Sequence, residues 1–145
     1  MKKKGLFLFS ILIVAGITLL GLCQEPKKDI EGYWQGALKF PGIELRVVVK
    51  ISRSKDGSLF ATMDSPDQGA SDIPVANVNL EGDKLLLDVS SIQGMFEGKI
   101  KEDSQEIAGE WKQSGLALPL VLRRIEKAPQ ISRPQEPKNP YPYTE

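Results

Sequence analysis

The chain of 145 residues contains no histidine and a single cysteine, Cys23. Without imidazole there is no Ser-His-Asp or Cys-His machinery, because the base that takes a nucleophile's proton near neutral pH is missing. The common zinc sites lose their usual nitrogen ligand, and one cysteine cannot build a four-cysteine cage. Neither charge sign is in excess, with 19 basic residues against 19 acidic ones. These absences leave no catalytic residue, metal or cofactor to assign, and the chain reads as a non-enzyme.

What is present begins with a basic Met1-Lys2-Lys3-Lys4 and an apolar run from Leu6 to Leu22. The run has no polar face, so it reads as an export signal over residues 1–23, or as an uncleaved membrane anchor of similar length. Cys23 has two readings. Leu20-Gly21-Leu22-Cys23 looks like a lipoprotein box with Cys23 as the lipidation site, although Leu22 is larger than the residue such a box prefers. Alternatively a peptidase cuts after Cys23 and leaves Gln24 first. Either places the domain in the periplasm or outside the cell. Taking Lys2, Lys3 and Lys4 from the 19 basic residues leaves 16 against 19, a net charge of −3. A mildly acidic domain with mixed signs offers no footprint for nucleic acid.

After a short linker, 24–31, the pattern is β throughout residues 32–125. Leu45, Val47, Val49 and Ile51 alternate with Arg46, Lys50 and Ser52, and Leu116, Leu118, Leu120 and Leu122 repeat the spacing, a period of two and not 3.6. Pro119 inside the second run suggests an edge or a weakly paired position. Pro41-Gly42, Asp56-Gly57, Gly82-Asp83 and Ser114-Gly115 separate such runs, as hairpin turns do. About eight strands are expected: 32–40, 43–52, 58–64, 73–80, 84–89, 93–101, 105–113 and 116–125. Short connections favour an antiparallel meander.

Within the strands a large residue, a glycine and a large residue recur at alternate positions: Trp34-Gly36-Leu38, Phe96-Gly98-Ile100 and Ile107-Gly109-Trp111. The glycine makes room where a sheet bends or a side chain crosses. Curved strands of this kind close into a small barrel; a two-sheet β-sandwich is the alternative. Gly32-Tyr33-Trp34 with the late Arg123-Arg124 resembles the lipocalin pattern. A barrel of about eight strands is either filled by side chains or holds one small ligand. Trp34, Phe96, Trp111 and Arg123 are the candidate interior residues for an apolar ligand. The competing reading has Trp34 plugging the barrel floor under an arginine, since closure requires no ligand.

Residues 64–72 form the longest break in the pattern. Their three carboxylates, Asp64, Asp67 and Asp72, do not match the spacing of a calcium loop. Ser65 has no neighbouring base and no nucleophile elbow. The last segment, 126–145, holds half of the 10 prolines and should run extended, as a linker or tail.

Gly32-Tyr33-Trp34-Gln35-Gly36, Leu45-Arg46-Val47-Val48, the run from Ala61 through Ser65-Pro66-Asp67-Gln68-Gly69 to Ala70, and Ile73-Pro74-Val75 together resemble a known module. It is the N-terminal accessory β-domain of exported bacterial α/β-hydrolases, which are serine esterases or peptidase-like enzymes. The similarity continues through Ile107-Ala108-Gly109 and Trp111-Lys112-Gln113 into Arg133-Pro134-Gln135-Glu136-Pro137, which is similar to that family's interdomain linker. In the family the catalytic triad lies beyond the linker. The resemblance therefore implies a non-catalytic module that supports substrate positioning, folding or assembly of a hydrolase domain, fused or separately encoded. A free-standing barrel for a small apolar ligand is the alternative.

Overall fold

The computed structural model describes residues 28–130. The expected signal segment, Cys23 and the prolines beyond Pro129 lie outside them. Nine strands follow in chain order: β1 (Gly32–Phe40), β2 (Ile43–Arg53), β3 (Leu59–Ser65), β4 (Ala70–Val75), β5 (Asn77–Glu81), β6 (Lys84–Val89), β7 (Gly94–Ile100), β8 (Glu106–Gln113) and β9 (Leu116–Ile125). All pairings are antiparallel, in the order β4-β3-β2-β1-β9-β8-β7-β6-β5. First and last strands meet in the middle of this order, with Tyr33 opposite Ile125 and Trp34 opposite Arg124.

The two ends of the order, β4 and β5, are consecutive in the chain and separated by Ala76 alone. The backbone N–H of Ala76 donates to the carbonyl of Asp88 on β6 at 2.7 Å. A single bent stretch thus pairs with β3 up to Val75 and with β6 from Asn77. This hand-off curls the sheet into a nearly closed barrel and leaves little exposed edge. The single strand expected over 73–80 is therefore two elements, which makes the total nine. The expected break at 64–72 is also shorter: β3 runs to Ser65, a 3-10 turn occupies Pro66–Gln68, and β4 starts at Ala70.

Alternate residues point inward and form one core, from Ile30 and Trp34 through Val49, Leu85, Leu87 and Phe96 to Ile107, Leu120 and Leu122. Each such side chain contributes about 1.5–3 kcal/mol on burial. Glycines seat the rings as the alternation suggests. A Cβ on Gly94 would collide with the ring of Trp111, and one on Gly98 would lie 2.7 Å from the Phe96 ring. Pro119 lies on β9 beyond its registered pairs with β1, which end at Arg123, so its missing N–H costs that ladder nothing.

Candidate functional site: the open end of the barrel

The two ends of the barrel differ. At one end Trp34 is fully buried, and its indole Nε1 donates to the carbonyl of Ile30 at 2.9 Å. The guanidinium carbon of Arg124 lies 4.6 Å from the centroid of the Trp34 ring, within the range of a cation–π contact. The same guanidinium donates to the carbonyls of Glu31 at 2.6 Å, Asp29 at 2.7 Å and Ser104 at 3.2 Å. Arg124 thereby ties the segment before β1 to the turn before β8. Gly32 is required beneath it: its φ is +127°, and a Cβ there would stand 3.2 Å from Arg124 Nη1. This end is shut.

Of the four residues expected in the interior, Trp34, Phe96 and Trp111 are there and Arg123 is not. Arg123 points outward with a side chain 76% exposed, its Nε 3.4 Å from Glu106. Parity explains the exchange. Trp34 faces Arg124 directly, and on β9 Leu120 and Leu122 are buried while Val121 and Arg123 are exposed. Extending the Leu118-Leu120-Leu122 alternation by two residues reaches Arg124, a signal already present in the sequence. Phe96 is buried, with its ring packed against Gly98, and is not among the residues lining the cavity described next.

The other end is open. The turns after β1 and β8 and the short 3-10 turns Pro66–Gln68 and Ser90–Ile92 surround it. Between them lies a cavity of about 340 Å³, with Leu38, Val47, Met63, Ile73, Ile92 and Trp111 among its lining residues. Its polar groups are Ser65, Gln68 and Gln113. The Trp111 indole donates to Gln113 Oε1 at 3.1 Å, and Gln113 Nε2 donates to the carbonyl of Ile92 at 2.8 Å. Gln113 therefore fixes both the ring and the neighbouring turn. Ser65 donates its hydroxyl to Gln68 Oε1 at 2.9 Å, which leaves the Gln68 amide N–H groups free to donate. An apolar cup with a few oriented polar groups at its rim suits a small ligand with an apolar body. In the sequence Ser65 and Gln68 show only as members of the break at 64–72; their place in the cup depends on pairing far along the chain.

The rim is braced by charge. Arg46 grips Asp67 with its Nη2 donating to Oδ1 at 2.7 Å, while the Arg46 backbone N–H donates to Oδ2 at 2.7 Å. The Arg46 side chain, and then its backbone N–H, hold the Asp67 carboxyl below the usual carboxylate range. Pro66 opens the turn and Gly69 closes it at φ 64°, the left-handed conformation glycine adopts without cost. Beside it the Lys50 ammonium sits 3.0 Å from both Asp64 and Asp72, and those carboxylates, Asp64 first, raise its pKa. The backbone N–H of Asp72 also donates to Asp64 at 2.8 Å. The three carboxylates of the 64–72 segment are thus matched by Arg46 and Lys50, and serve to lock the corner.

No protein-family model, curated protein or solved structure matches the chain.

Proposed function

We propose that the domain is a non-catalytic binding module whose open barrel end takes a small apolar group. The observation that carries this reading is the asymmetry of the ends. One end is shut by Trp34 and Arg124, and the other holds an apolar cavity of about 340 Å³ with three polar side chains on its wall. That volume is at the lower end for ligand pockets and suits about ten non-hydrogen atoms, at about 30 Å³ each. A medium-length acyl chain or a single aromatic moiety is of that size. Trp111 lines the cup while Trp34 is sealed at the far end, so the two tryptophans of the chain report separately. Titration with bromo-octanoate should quench Trp111 saturably, and the quenching should vanish in Trp111→Phe but persist in Trp34→Phe. Absence of saturable quenching in the unaltered protein would reject the reading.

A second reading, an accessory domain serving an esterase-like hydrolase, has one specific support. The Ser65–Ala70 run that carries the resemblance supplies Ser65, Gln68 and Ala70 to the cup wall. In this reading the cup holds the apolar part of a substrate for a catalytic domain. The reading frame beyond the Glu145 codon tests it. A nucleophile-elbow hydrolase there, fused or adjacent, is expected; its absence from the locus counts against the assignment.

A further inference from the structure

The barrel carries a second concavity, on its outer face near the shut end. Tyr33 on β1 and Phe60 on β3 are large rings left 37% and 54% exposed. Both line a groove of about 370 Å³, together with Lys50, Ser52, Arg53 and Thr62. Register fixes the spacing of the rings. Tyr33 stands opposite Lys50, Lys50 opposite Thr62, and Phe60 opposite Ser52. The rings are thus two strands apart and offset by two residues, about 12 Å between their backbone positions.

The chain itself supplies a segment of matching geometry. Pro134, Pro137 and Pro140 follow one another at intervals of three. A polyproline II helix has three residues per turn and rises about 9 Å per turn, so all three prolines fall on one edge of it. Rings on two sides of a shallow groove are the surface such an edge packs against, and the fixed φ of proline lowers the entropy lost on docking. The point of departure also fits. Ile125, the last residue of β9, is paired with Tyr33, so the tail leaves the barrel beside the groove. Pro134 lies nine positions beyond Ile125, a reach of up to about 30 Å. Tethering at that range gives an effective concentration on the order of millimolar, enough for a weak contact to be populated.

We propose that residues 134–142 of the same chain dock as a polyproline II helix in the groove between Tyr33 and Phe60. The inference is independent of the cup at the opposite end. It is tested on the full-length chain carrying Cys23→Ser and Thr144→Cys, with a nitroxide attached at residue 144 and amide spectra recorded before and after its reduction. The expected result is loss of amide signal at Tyr33, Ser52 and Phe60 while the label is oxidised. That loss should disappear in Phe60→Ser, and in Pro134→Ala combined with Pro137→Ala and Pro140→Ala. Three results overturn the proposal: no loss at these amides, an even loss over the whole barrel surface, or a loss that vanishes when labelled chain is diluted into unlabelled chain. The last would assign the contact to the tail of a second copy. Because Phe60 is exposed, an unchanged urea midpoint in Phe60→Ser confirms that the fold is intact.

Discussion

Gly98 and Gly109 face each other across β7 and β8, and neither position has room for a Cβ. One on Gly98 would meet the Phe96 ring at 2.7 Å and the Ala108 carbonyl at 3.0 Å; one on Gly109 would strike the Glu97 carbonyl oxygen and come within 2.5 Å of the Gly98 Cα. The two strands approach so closely here because both positions lack a side chain. Gly109→Ala is expected to cost about 3 kcal/mol, the upper part of the range for overpacking. Gly42→Ala, where nothing lies within 4 Å but φ is +80°, should cost only about 1 kcal/mol through backbone strain. Urea denaturation of the two variants, run side by side, separates the contributions.

The shut end distinguishes two adjacent arginines. Arg124→Ala removes the contact with Trp34 and hydrogen bonds to three carbonyls, and should lower stability by about 2–3 kcal/mol. Arg123→Ala removes an exposed ion pair with Glu106 and should change it by less than about 0.5 kcal/mol. Equal losses from both would show that Arg124 does not seal the barrel.

Acid should loosen the rim of the cup. The Asp67 carboxyl is held below its ordinary value of 3.8 by hydrogen bonds from Arg46, so the folded state favours its ionised form. The stability this contributes is present above that value and is lost as pH falls through the lower, folded-state value. Glu97, held down chiefly by Lys84, and Glu106, held down chiefly by Lys101, act with the same sign from 4.5. Asp67→Asn should lower stability at neutral pH and make its decline below about pH 4 shallower. A series of urea midpoints across that range reads both effects; an unchanged slope would remove Asp67 from the acid transition.

Filling the cup should abolish binding without unfolding the barrel. Ala70 is half-buried at the start of β4 and lines the cavity. Ala70→Phe projects a ring into space that is already empty, so stability should change by less than about 1 kcal/mol. Saturable quenching of Trp111 by bromo-octanoate should be lost. Retained binding in a folded Ala70→Phe protein would place the ligand elsewhere.

Much of the fold is legible in the sequence because its determinants are local. Period-two alternation in Leu45–Ile51 and Leu116–Leu122 marks strands, and Pro41-Gly42 and Ser114-Gly115 mark the turns between them. The large-glycine-large runs mark the places where rings cross the sheet. The hand-off at Ala76 is not legible: nothing in Val75-Ala76-Asn77 states that the partner changes from β3 to β6. Arg124 was legible from parity, which assigns it to the face of Leu122, whereas proximity to the end of the strand does not separate it from Arg123. The cup was hidden for the same reason as the hand-off. Leu38, Ser65, Ile92 and Gln113 lie in four different stretches of the chain, and only barrel closure brings them to one rim.

The pairing of β1 with β9 also sets when the protein can become itself. Arg124 reaches back to Glu31 across 93 residues of chain, so the first strand made is joined to the last. Hairpins such as β2–β3 and β6–β7 form as soon as their own residues are available, at small entropic expense. The first strand, however, stays paired on one side only until residue 125 has been synthesised, and Trp34 waits uncovered until then. Closure needs β9, and the interval between the synthesis of β1 and that of β9 determines how long the nascent core remains open.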